Sequence, residues 1–299
     1  MMRDARQRRS RWAAKIEGLR GPFSDASRKL LGDLRSEIEK DGVVALVDHL
    51  RLCGVVPERY GRDSSEEKLY SKYTDAVVSE SLTAVGLAGV VLSSRGDAAD
   101  VEARGGGYSL VADAKAFRLS RTAKNQKDFK IQALDVWRRE LDFAVLVCPI
   151  HQLPGRTSQI YQQAVAWNVC ILSYAHLAAL VGLADRRNAE TAAAGLRVVL
   201  ERVALMHPSK SAADYWAGIN KALVTVLGDD VDLWTVEKRA SLAGLAAARE
   251  EALAYLQGER DRLLRLSHQQ ALEELVRAKG VDSRIAQVLR AEHGGLLGD

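Results

Sequence analysis

Asp113 and Lys115 stand where charge is expensive. From Leu110 to Phe117 every other residue is apolar, and a charge among such neighbours persists only if it is paired or put to use. Successive side chains of a strand point to opposite faces, so Val111, Asp113 and Lys115 would share one face and Ala112, Ala114 and Ala116 the other. Upstream, Arg104-Gly105-Gly106-Gly107 is rich enough in glycine to turn a hairpin, which would bring Asp100 back beside Asp113 and Lys115. Two carboxylates and a lysine on one sheet edge can hold Mg²⁺ and an oxyanion together, as hydrolysis of a phosphodiester requires. Asp100 and Asp113 are the expected metal ligands, with the carbonyl of Ala114 a further one. Lys115 is expected to orient the attacking water and stabilise charge developing on the phosphate. Asp97 and Glu102 compete with Asp100 for its role.

The segment that follows suits a polyanion. Lys115, Arg118, Arg121, Lys124, Lys127 and Lys130 face a single acid, Asp128, within sixteen residues. Arg118, Arg121, Lys124, Asn125 and Lys127 are the candidates for contact with double-stranded DNA. Arginine matches guanine O6 and N7 and asparagine matches adenine N6 and N7, while some of the set must hold phosphate instead. An Asp-x-Lys triplet alone is also what a surface strand with an internal ion pair would carry. The second acid across the hairpin and the basic run beyond it favour a Mg²⁺-dependent DNA endonuclease.

Other chemistries find little support. The triple glycine lacks a following Lys-Ser/Thr and precedes a strand, so it reads as a turn and not as a phosphate-binding loop. The six histidines are scattered without metal-ligand spacing, and Cys53, Cys148 and Cys170 sit singly in apolar surroundings as reduced core residues. A net charge of only +4 over 299 residues means that any nucleic-acid site must come from local clustering. No run approaches the roughly 20 apolar residues of a membrane span, and no apolar secretory core opens the chain. A cytoplasmic protein is expected.

Several elements must position this chemistry. Residues 1–20 are expected to be a basic helix, either a solvated arm or a contact to the DNA backbone. Helical periodicity runs over 24–53, capped by Ser24 or Asp25, and a helix over 64–85 is capped at Asp63 to Ser65. That helix leads into a strand at Leu87–Ser93 and places Glu67 or Asp75 where an accessory acid could lean over the site, Asp75 being the nearer. After the hairpin come a helix over 125–140, opened by Asn125 and Asp128, and a buried strand at 143–148. A helix over 157–166, a second buried strand at 169–173 and a helix over 175–181 follow. Alternating strands and helices imply an α/β fold, a mixed central sheet flanked by helices. Beyond Asp185 the chain reads as helices over 188–206, 211–227 and 231–290. The expected organisation is an N-terminal helical segment (1–57), a catalytic core (58–184), and a largely helical C-terminal region (185–299) for dimer and DNA contacts.

At these residues the sequence also resembles a known group. Asp100, Asp113 and Lys115 fit the PD-(D/E)xK nuclease pattern, with Ala99 in place of its proline. LVADAKAFRLSRTAKNQKDFKIQAL, with EEKLYSKYTD at 66–75 and RGDAADV at 95–101, closely resembles the HindIII-type restriction endonucleases over roughly residues 58–180. The resemblance implies a homodimeric type II enzyme that uses Mg²⁺ to cut both strands of the palindrome AAGCTT after its first A, leaving 5′-phosphate ends. It implies catalytic roles for Asp100, Asp113 and Lys115, and a cognate methyltransferase that shares the DNA site. Two rivals stand beside it: a structure-selective or repair nuclease of the same fold, and a DNA-binding protein without catalysis.

Overall fold

The computed structural model describes residues 2–92, 98–121 and 126–290. Among them five strands form one sheet in the order β1 (Ala88–Val91), β2 (Val101–Gly105), β3 (Tyr108–Ala114), β4 (Phe143–Val147), β5 (Val169–Leu172). β1, β2 and β3 pair antiparallel, whereas β3, β4 and β5 pair parallel. The expected mixed α/β sheet is therefore present, and β3 is the strand at which one kind of pairing gives way to the other. The hairpin closes with Gly105 opposite Tyr108. Gly106 and Gly107 between them hold φ of +57° and +78°, the positive pair that a two-residue hairpin turn of right-handed strands demands. β3 is buried along its whole length and β4 and β5 nearly so, which is why those strands read as continuous apolar or alanine runs and not as alternation.

Helices cover the sheet. α1 (Met2–Gly18), α2 (Phe23–Leu52) and α3 (Ser65–Ala84) precede it. α4 (Gln126–Phe129) and α5 (Ile131–Arg138) connect β3 to β4, and α6 (Gln159–Ala166) connects β4 to β5. α7 (Tyr174–Arg186), α8 (Ala189–Glu201), α9 (Ala212–Leu227), α10 (Asp232–Leu264), α11 (His268–Lys279) and α12 (Val281–Leu289) follow. α3 begins where expected: Ser64 Oγ accepts the Glu67 amide at 3.1 Å. It also lies hard on β1, since a Cβ on Gly89 would stand 2.4 Å from the Ser79 carbonyl oxygen.

Four expectations need correcting. The first helix is not a solvated arm, because Ala5, Trp12, Ala13 and Ile16 form a buried stripe. Arg9 is buried with it and donates to the carbonyls of Leu52 (3.0 Å) and Val55 (2.6 Å) and to Tyr70 Oη (2.7 Å). α2 starts at Phe23 after Pro22, with no side-chain cap from Ser24 or Asp25, and it kinks at Gly42, where φ is +70°. The helix expected over 125–140 is two helices, broken at Lys130 in the left-handed region (φ +49°). The long C-terminal stretch breaks likewise at the Ser267 capping box and at Gly280.

The chain divides into two compact units, Met1–Ala252 and Leu253–Asp299. The sheet and its core lie in the first. In the second, α11 and α12 bury none of their residues, and Arg262 bonds Glu274 at 3.3 Å. Among the described residues no helix is long and apolar enough to cross a membrane.

Candidate active site

Asp100 precedes β2, yet its backbone extends the ladder by a residue at each side. Its amide donates to the Ala112 carbonyl (3.2 Å) and its carbonyl accepts from the Leu92 amide (2.8 Å). That pairing aims its carboxylate across the hairpin, where Oδ2 accepts the Ala114 amide at 3.3 Å. Asp113 is 2% exposed near the end of β3, and the Lys115 ammonium is paired with its Oδ2. The backbone of Lys115 is held on two sides: its amide donates to the Val147 carbonyl (2.8 Å), and its carbonyl accepts the hydroxyl of Tyr174 (2.8 Å) from the start of α7. From α3 comes a third buried carboxylate, Asp75, bonded to Lys72 Nζ at 2.9 Å.

The electrostatics show that these groups act on one another. Burial, then the carboxylates of Asp75 and Asp113, push Asp100 up to about 9. Asp75 rises to about 6 through burial, held from going further by Lys72. Burial works against both ammonium groups, but the surrounding carboxylates outweigh it and raise Lys115 and Lys72. Three acids against two bases leave the cluster short of positive charge.

Other candidates fall elsewhere. Glu67 does not reach the acids; it pairs with Arg118 at 2.9 Å and accepts the Asp63 amide. Arg118 also donates to the carbonyls of Tyr60 (2.8 Å) and Gly61 (3.0 Å). Arg121 pairs with Asp128 at 2.8 Å and lies over the Phe117 ring. Lys127 is exposed and lines a hollow of about 640 Å³ with Gln126, Lys130, Gln132 and Gln163. Lys124, Asn125 and Asp97 lie outside the described residues. Glu102 is engaged by Arg104 at 2.8 Å. The three cysteines are buried. Sequence reasoning missed Lys72 and Tyr174. The i, i+3 spacing of Lys72 and Asp75 was available as a signal, whereas Tyr174 lies 59 residues from its partner.

A hard divalent cation suits this donor set. Asp100, Asp113 and the Ala114 carbonyl offer only oxygen, and the amide of Ala114, the residue after Asp113, donates to the Asp100 carboxylate. The charge deficit that drives Asp100 toward neutrality is what such an ion would relieve. Among the described residues no three His, Cys, Asp or Glu side chains form a ready-made metal cage. Mg²⁺ does not need one, since it commonly takes one or two carboxylates and completes its shell with water and substrate oxygens.

A mixed five-stranded sheet flanked by helices is the architecture of an α/β nuclease fold. Within that fold class, the sequence model of the HindIII restriction endonuclease family matches residues 10–292. The chain belongs to this family. It is also 43% identical over 163 residues to the type II restriction enzyme HindIII of Haemophilus influenzae. That alignment covers 54% of this chain and 53% of that protein, so the chain spans about half the length of the curated relative it matches.

Proposed function

We propose that this protein is a type II restriction endonuclease that makes Mg²⁺-dependent double-strand cuts in a palindromic DNA site, AAGCTT, leaving 5′-phosphate ends. The observation that carries the reading is the convergence of Asp100, Asp113 and Lys115 at the end of β3, in a chain of this family. Asp100, Asp113 and the Ala114 carbonyl would hold the metal. When bound, the ion polarises the scissile phosphate and lowers the pKa of an attacking water. Lys115 orients that water and stabilises the negative charge gathering on the phosphorus oxygens. The two hydrogen bonds to its backbone fix where the ammonium can reach. Asp75 is the accessory acid.

Arg118, Arg121, Lys124, Asn125 and Lys127 are proposed to contact DNA. Lys127 is free to do so as the chain stands, while Arg118 and Arg121 would exchange Glu67 and Asp128 for phosphate or base. A palindrome asks for two-fold symmetry, so we assign the protein a homodimer, with residues 58–184 as catalytic core and 185–299 supplying dimer and DNA contacts. It would work inside a bacterial cell beside a methyltransferase that protects the same site.

The test is digestion of a plasmid carrying one AAGCTT site in Mg²⁺, Mn²⁺ or EDTA, followed by sequencing of the ends. One Mg²⁺-dependent cut at that site is expected. Lys115→Ala should abolish it while leaving DNA binding intact. Discrete cuts elsewhere would replace the target and keep the nuclease. Bound but uncut DNA in both metals would refute the enzyme.

A further inference from the structure

The carboxylate cluster holds two ammonium groups, and only one of them has a role in the reaction above. Lys72 lies on α3, one turn before Asp75, and its Nζ sits 2.9 Å from Asp75 Oδ2. Asp75 is almost wholly buried, and Lys72 is its one hydrogen-bond partner among the side-chain bonds described. The lysine side chain is itself only 28% exposed, an unfavourable place for a flexible ammonium unless the acids require it. α3 packs against β2 and β3, the two strands of the hairpin that brings Asp100 and Asp113 together. The charges of Asp100 and Asp113 act on Lys72 as well as that of Asp75.

We propose that Lys72 is a positioning residue of the nuclease site: a tethered cation that holds Asp75 and competes with the divalent ion for the acidic cluster. The inference rests on the reading of Asp100 and Asp113 as metal ligands. Its logic is one of charge. Without metal, two ammoniums face three carboxylates and leave the cluster one net negative charge. With one divalent ion added, three carboxylates and two ammoniums leave a single net positive charge, which one phosphodiester matches. Without Lys72, the acids would take the metal more tightly, and the loaded site would be neutral with nothing left over to attract the phosphate.

Calorimetric titration of the full chain with Ca²⁺ and Mg²⁺ in the absence of DNA tests this. Lys72→Met should bind either ion about tenfold tighter than the wild type, the scale of one unit charge acting across a partly screened site. Lys72→Arg should bind like the wild type. In Mg²⁺-dependent cleavage Lys72→Met should raise KM for DNA more than it lowers kcat, a split that general loosening of α3 would not produce. Lys72→Gln, closer in polarity, serves if the methionine variant melts early. Asp113→Asn separates the two readings. If Asp113→Asn binds metal like the wild type, the site itself is misassigned. If Asp113→Asn loses binding while Lys72→Met and Lys72→Gln bind as the wild type does, the role of Lys72 is refuted.

Discussion

Asp100 is the residue on which the electrostatics of the site turn. Burial and the nearby carboxylates push its carboxyl up to about 9, against about 4 in an unfolded chain. Between those values the folded protein keeps a proton that the unfolded chain has lost, so stability falls as pH rises through the window. In EDTA the melting temperature should therefore decline from pH 5 to pH 9, and Asp100→Asn should flatten that decline. An equal slope in both proteins would refute the assignment. At this scale much was legible in the sequence. Asp113 and Lys115 announced themselves as charges in an apolar run, and the glycines announced the return of Asp100. Of the partners that tune them, Asp75 was legible as a candidate accessory acid on the helix before the hairpin, whereas Lys72 was missed although its i, i+3 spacing to Asp75 was available. Tyr174 reaches it only through the start of α7.

At the scale of elements, the hairpin and the seat of α3 carry the geometry. Two glycine substitutions separate backbone strain from steric contact. Gly107→Ala meets open space but forces an L-residue to φ +78°, costing about 1–2 kcal/mol. Gly89→Ala would drive its Cβ to 2.4 Å from the Ser79 carbonyl, a backbone atom that cannot swing aside. It should destabilise by more, about 3 kcal/mol, and lower cleavage too because α3 carries Asp75 and Lys72. Urea unfolding of the two variants gives the comparison, and a milder effect at Gly89 would contradict it. Strand and helix types were readable from period and caps, and β4 and β5 came within a residue or two of their expected bounds. The break at Lys130 was not readable, since neither glycine nor proline marks it. Its ammonium over the Trp137 ring at 5.0 Å is a tertiary contact with no local signature.

Across the whole molecule, the N-terminal helix belongs to the core. Its basic composition concealed this: charge density suggested a solvent-facing arm, whereas Arg8 and Arg9 are absorbed by carbonyls, Glu37 and Asp41. Buried histidines set the acid limit. Burial lowers His49 to about 3 and His176 to about 4, so the unfolded chain takes up protons first. The stability these two neutral rings permit is present above pH 6.5 and lost as pH falls toward their folded values. His176→Gln should weaken the fall in melting temperature between pH 6.5 and 4, and an unchanged acid slope would place the cause elsewhere.

The passage of β3 from antiparallel to parallel pairing has a consequence in time. The β2–β3 hairpin needs only a two-residue turn, and such units close in about 1–10 μs. The β3–β4 pairing must wait for the crossover through α4 and α5, and non-local pairing of this kind is slow. Asp100 can meet Asp113 early, but Lys115 is fixed only when Val147 and Tyr174 arrive from later segments. A chain emerging from the ribosome therefore gathers its acids well before its lysine is anchored, and the proposed nuclease site is completed last.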